Sequence, residues 1–183
     1  MTTARRQTYV ALLRGVNLGS RNKVSMPAVR GLFEELGYGD VQTYLQSGNV
    51  VFTSSDGASA IVQRIERALA RELGVRAAVV LRTKAELRRV VTGNPFAERQ
   101  GDPKKLLVTF LRETPPRAAV AALDPQEHAP DEFHVARREV YLHCPNGYGR
   151  TKLSNAFFER KLGVPGTNRN WRTVTALANL AAA

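Results

Sequence analysis

Two stretches of the chain are apolar at nearly every position: Tyr-Val-Ala-Leu-Leu over residues 9–13, and Leu-Leu-Val-Thr-Phe-Leu over residues 106–111. A strand with one wet face alternates, whereas a strand covered on both sides does not. Both runs are therefore expected to be central strands, each opening one half of the protein. After the first, Val29, Leu32, Phe33 and Leu36 keep helical spacing between Pro27 and Gly37, a good helix start and a left-handed stop. Residues 41–46 alternate, Ser47-Gly48-Asn49 reads as a turn, and residues 50–53 are extended again, which predicts a hairpin. Asp56 is the expected cap of a second helix carrying Ile61, Ile65, Leu69 and Leu73 on one stripe, and residues 77–81 follow as a strand. This β-α-β-β-α-β order is the split βαβ pattern of a ferredoxin-like unit.

Thr83-Lys-Ala-Glu86 has the spacing of a capping box for a short helix, which Gly93-Asn94-Pro95 breaks. Beyond that break the pattern begins again. The strand at 106–111 leads to a cap and helix-start signal at Thr114-Pro115-Pro116, with Thr114 as the cap, a hairpin of 133–136 with 139–143, and a helix at 152–162. A short strand is expected near 166–169, and a terminal helix carries Trp171, Val174, Leu177 and Leu180. The fold class read from the sequence is α+β: two ferredoxin-like subdomains packed together, residues 1–93 and 94–183, the second ending in the C-terminal helix. The halves read as a degenerate structural repeat without a residue-level one.

At 183 residues, with 43% apolar and 23% charged side chains, the chain can bury a sizeable core and has no segment of disordered composition. The longest apolar stretch near the start is far too short for a secretion signal or a membrane span, so no membrane association is expected. One cysteine, Cys144, excludes an internal disulfide and fits the cytoplasm. The net charge of +11 changes the picture most, because a basic surface concentrates phosphates and nucleic acid. Residues 1–33 carry six basic and no acidic side chains, and residues 140–183 carry six basic and one acidic. The segment between them is balanced, at 15 of each sign.

Three basic segments join one element to the next. In Arg14-Gly-Val-Asn17-Leu-Gly-Ser-Arg21-Asn-Lys23, glycines let backbone N–H groups turn outward ahead of a helix N-terminus, and the cations add donors. It lacks the endings of a P-loop and of a dinucleotide fingerprint, so neither is claimed. Asn146-Gly-Tyr-Gly-Arg150-Thr-Lys152 sets cations at the expected start of a helix, where they oppose the dipole unless an anion offsets them. Thr167-Asn-Arg169-Asn170-Trp171-Arg172 repeats the logic, with Asn170 as the cap. Trp171 is expected in the core rather than as a stacking platform. His143 and Cys144, adjacent on a strand, point to opposite faces, and no Cys-x-x-Cys pattern occurs, so no metal and no catalytic thiol is expected. No serine lies in a nucleophile elbow, and no cofactor fingerprint is present.

Residues 9–19, Lys23-Val-Ser-Met26, residues 43–52, Asn94-Pro-Phe96, Lys152-Leu153 and residues 167–174 together make the chain resemble the bacterial DUF1697 family nearly end to end. That resemblance implies two linked α+β subdomains of ferredoxin-like character and carries over no catalytic residue. Asn168 departs from the Thr or similar residue the family implies before Arg-Asn-Trp. The leading functional expectation is a binding module for a phosphate-bearing partner, with nucleic acid among the candidates. Its site draws on Arg14, Asn17, Arg21, Lys23, Ser47, Asn49, Arg150, Lys152, Arg169, Asn170 and Arg172, the two basic ends converging in one cleft. The alternatives are an enzyme acting on a phosphorylated small molecule or nucleotide, and a structural or adaptor protein. No run resembling an RNA-recognition signature occurs on the central strands.

Overall fold

A computed structural model describes residues 5–99 and 101–183. Its elements are β1 (Gln7–Leu13), α1 (Met26–Glu35), β2 (Gly39–Tyr44), β3 (Asn49–Ser54), α2 (Ala58–Glu72), β4 (Val79–Thr83) and α3 (Lys84–Thr92), followed by β5 (Leu106–Leu111), α4 (Arg117–Ala121), β6 (Glu132–Ala136), β7 (Glu139–His143), α5 (Asn155–Leu162), β8 (Gly166–Asn170) and α6 (Trp171–Ala182). The strands form two four-stranded sheets, β2-β3-β1-β4 and β6-β7-β5-β8, antiparallel throughout. The fold is therefore α+β with the same strand order in both sheets. The chain divides into two compact units, one running to Arg88 and taking in Leu177–Ala183, the other Arg89–Ala176.

In the first unit Tyr9, Ala11 and Leu13 of β1 and Val50 and Phe52 of β3 pack with Val29 and Phe33 of α1 and Ile61, Ile65 and Leu69 of α2. Phe33 meets Phe52 edge-on, ring centroids 5.2 Å apart. Each fully buried Phe, Leu or Ile contributes about 1.5–3 kcal/mol of transfer free energy. Val10 and Leu12, on the other face of β1, are also fully buried, and every residue of β5 is buried, so both apolar runs are covered on two sides as their patterns require. The second core joins Leu107 and Leu111 of β5 and Val140 and Leu142 of β7 to Phe158 and Leu162 of α5.

Helix starts differ from the sequence reading in three places. Asp56 does not cap α2. Gly57 is the cap residue and makes no side-chain bond, leaving Asp56 a position too early; its carboxylate instead pairs with Arg64. Thr114 likewise does not cap α4, which starts after Pro116. α5 begins at Asn155 with Ser154 as cap, its Oγ accepting from the Phe157 N–H at 3.1 Å, rather than at 152. Arg150 and Lys152 therefore lie before the helix, and its dipole gives no reason to place an anion against them. The expected strand at 77–81 lies two residues later; a shift of two keeps every side chain on its face, so Val79 and Leu81 still join the core. The Thr83 capping box forms in both directions: Thr83 Oγ1 accepts from the Glu86 N–H at 3.1 Å and Glu86 Oε2 from the Thr83 N–H at 2.8 Å.

The repeat reaches individual residues. Val10, three before the end of β1, faces Arg82 on β4; Val108, three before the end of β5, faces Arg169 on β8. Both arginines are buried, and the residue after each, Thr83 or Asn170, caps the helix that follows. One connection breaks the parallel. β5 reaches α4 through residues 112–116, whereas β1 reaches α1 through the longer stretch 14–25.

Trp171 is buried, 4% exposed, consistent with a core role. Cys144 is fully buried, and burial is the first cause pushing its thiol up to about 11, so little thiolate exists at neutral pH. Iodoacetamide should modify Cys144 at pH 7.5 only after the protein is unfolded. Rapid stoichiometric labelling of the native protein, followed by mass spectrometry, would contradict this.

Candidate anion-binding site

The long connection between β1 and α1 is a built loop. Gly15 and Gly19 take φ of 71° and 62°, and Asn17 and Asn22 adopt φ of 53° and 49°, a left-handed conformation that asparagine tolerates better than most residues. The Asn17 N–H donates to the Asn22 carbonyl at 3.0 Å, and Leu18 forms a bridge with Arg21 that closes the tip. The Asn17 side chain is the central brace. Its Oδ1 accepts from the Val24 N–H at 2.8 Å, and its Nδ2 donates to the Val24 carbonyl at 2.9 Å and to the Gln46 carbonyl at 2.8 Å. The last of these bonds fastens the loop to the turn between β2 and β3.

That turn is Leu45-Gln46-Ser47-Gly48, since Tyr44 and Asn49 pair as strand residues. Asn49 therefore belongs to β3 rather than to the turn. It is fully buried, and its Nδ2 donates to the Tyr44 carbonyl at 2.7 Å and to Ser47 Oγ at 2.9 Å. Gly48, at φ 82°, passes its carbonyl to the Leu13 N–H at 2.8 Å. Between loop and turn lies an open cavity of about 430 Å³ lined by Asn17, Gly19, Lys23, Val24, Ser25 and Gln46. Ser25 also caps α1, its Oγ accepting from the Ala28 N–H at 3.2 Å. Lys23 is exposed at the cavity, Arg21 is exposed opposite Leu18 at the loop tip, and Arg14 is half-buried at the start of the loop. No Asp or Glu occurs among residues 1–33 or 41–55, the two segments that build this corner.

The second unit presents a different surface. Arg150 and Lys152 line a cavity of about 270 Å³ together with Asn146, His128, Glu127 and Asp131. Two carboxylates set against two cations remove the preference for anions that the sequence suggested there. Arg169 is buried, 7% exposed, and its Nη1 donates to Thr167 Oγ1 at 2.7 Å and to the Asn168 carbonyl at 2.8 Å. Burial lowers its pKa to about 10. Asn170 is committed as the cap of α6, its Oδ1 accepting from the Thr173 N–H at 2.9 Å, and Arg172 is exposed on the first turn of that helix. Of the residues singled out from sequence, Asn17 and Lys23 thus share one cavity, Arg21 lies on the same loop, and Ser47 and Asn49 bond to each other within the neighbouring turn and strand. Arg150 and Lys152 share another, and Arg169 is part of the interior.

Sequence reasoning missed Gln46, because alternation over 41–46 assigned it to a strand. It also missed two exposed leucines, Leu18 and Leu45, because an apolar residue reads as core. His143 lies with Nδ1 3.3 Å from the Glu132 carboxylate, which also pairs with Arg99, and burial is the first cause holding its pKa below the usual histidine value. Among the described residues no group of three or more His, Cys, Asp or Glu side chains is placed to hold a metal ion. None of their helices is long and apolar enough to cross a membrane.

Fold and site together define a two-unit α+β protein with a cationic, braced loop on its first sheet. The chain belongs to the family described as "Protein of unknown function (DUF1697)", which it matches over residues 6–141. Among solved structures it is similar to a conserved bacterial protein from Streptococcus pneumoniae, at 23% sequence identity and a TM-score of 0.75, covering 97% of this chain and 99% of that one. At that identity the likeness speaks for the fold. No curated protein matches the chain.

Proposed function

We propose that the protein is a binding module for a phosphate-bearing partner and that the braced loop of the first unit is its contact site. The observation that carries the reading is the cavity between loop and turn. It holds Lys23, with Arg21 on the same loop, its loop is braced by bonds from Asn17, and its two segments contain no carboxylate. A loop backbone already held in place favours binding, because less ordering accompanies it. The excess charge of +11 would draw such a partner in. The same reading takes each unit as a ferredoxin-like subdomain, supported by the shared strand order, and places the protein in the cytoplasm, supported by the inert, free thiol of Cys144.

A cavity of about 430 Å³ also suits a small molecule, which favours a nucleotide as the second reading. Salt separates the two. Binding of a fluorescein-labelled oligonucleotide to the full chain should weaken steeply as salt rises, and Arg21→Ala with Lys23→Ala should flatten the slope by about one per cation removed. Tight, salt-insensitive binding of a mononucleotide would support the enzyme reading instead. Equal binding by the double variant and the unaltered protein would dismiss the site.

A further inference from the structure

Two large apolar side chains stand out as exposed among the described residues, Leu18 at 69% and Leu45 at 55%, and both belong to the corner just described. Leu18 follows Asn17 and Leu45 precedes Gln46, so they flank the two ends of the bond that fastens loop to turn. Neither is where turn chemistry would put a leucine. Leu45 has φ 58°, a left-handed conformation that strains an L-residue and that Asn or Gly would occupy with less strain. Leu18 sits in a polar tip between Asn17 and Gly19. An exposed, strained leucine gains nothing from the fold, and such departures from local preference gather at functional surfaces.

The surroundings identify the partner. Exposed Arg21 bridges to Leu18, exposed Lys23 shares a cavity with Gln46, the neighbour of Leu45, and both segments lack a carboxylate, so the surface combines cations with short apolar wedges. We infer that Leu18 and Leu45 enter an opened base step of a nucleic-acid duplex while Arg21 and Lys23 hold the adjoining phosphates. This rests on the phosphate-binding reading above and names its partner. Proteins that bend duplexes insert Leu, Ile, Met or Phe between bases in this way, with Arg and Lys beside them, and unstacking is offset by the added contact. A mononucleotide bound in the cavity would leave both leucines in water.

The test uses the full chain and a DNA duplex carrying 2-aminopurine, whose fluorescence rises on unstacking. The unaltered protein should raise that signal as it binds. Leu18→Ser with Leu45→Asn should abolish the rise and weaken binding by about 10- to 100-fold, with the salt slope unchanged. Leu45→Asn alone should raise the melting temperature, because Asn relieves the backbone strain. The inference is overturned if the leucine variants bind and unstack like the unaltered protein, or if leucine-dependent binding goes to vesicles of anionic phospholipid rather than DNA. The underlying phosphate reading fails separately, if Arg21→Ala with Lys23→Ala leaves duplex binding unchanged.

Discussion

Gly48→Ala should lower the stability of the protein by about 2–4 kcal/mol and its melting temperature by about 5–15 °C. Two independent effects add at this position. The residue has φ 82°, which any side chain makes costly. An added Cβ would also stand 2.4 Å from Val16 Cγ2 and 2.9 Å from Leu13 Cβ, and both neighbours are buried, with little room to yield. Because Gly48 seats the β2–β3 turn against the loop, the variant should lose phosphate binding as well as stability. Gly31 is the control. It lies inside α1, and a Cβ added there would meet nothing within 4 Å, so Gly31→Ala should leave stability unchanged or raise it by about 0.5–1 kcal/mol. Calorimetry on both variants decides the matter. A Gly48→Ala protein that melts with the parent would show that loop and turn are not packed as described.

Arg169→Ala should cost about 2–4 kcal/mol, whereas Arg172→Ala, three residues on, should stay within about 0.5 kcal/mol. The difference is burial. Removing Arg169 leaves a cavity and takes donors from Thr167 Oγ1 and the Asn168 carbonyl, while Arg172 is exposed. Charge counting alone gave the two arginines the same role as surface cations. Denaturant unfolding separates them, and equal stabilities for the two variants would place Arg169 at the surface. Because Arg82 holds the matching register on β4 and is 1% exposed, Arg82→Ala should behave like Arg169→Ala.

Those paired arginines show where sequence reading reached its limit. The strands and most helices were legible because burial imposes a period on them: the double-sided runs at 9–13 and 106–111, the stripe of Ile61, Ile65 and Leu69, and the Thr83–Glu86 box all form as their spacing requires. Charge has no such period. Arg21 and Arg169 are the same letter, and only the register of β8 against β5 puts the second inside. Loop asparagines posed a similar problem, since Asn17 and Asn49 read as ligand donors while their side chains hold the backbone of loop and turn. The site itself was half legible. Its cations and glycines were visible in residues 14–23, but Gln46 joins them only through a long-range bond that no local pattern announces.

The most direct measurement of the central claim is an NMR titration of the ¹⁵N-labelled full chain with pyrophosphate. The amides of Gly19, Lys23, Ser25 and Gln46 should shift together and saturate on one binding curve, and Lys23→Ala should weaken that curve by about 10-fold. The amides of Asn146 and Lys152, in a cavity that balances cations with carboxylates, should stay in place. Shifts confined to the Asn146–Lys152 segment, or no saturable shift at Gly19 and Gln46, would contradict the assignment of phosphate binding to the braced loop.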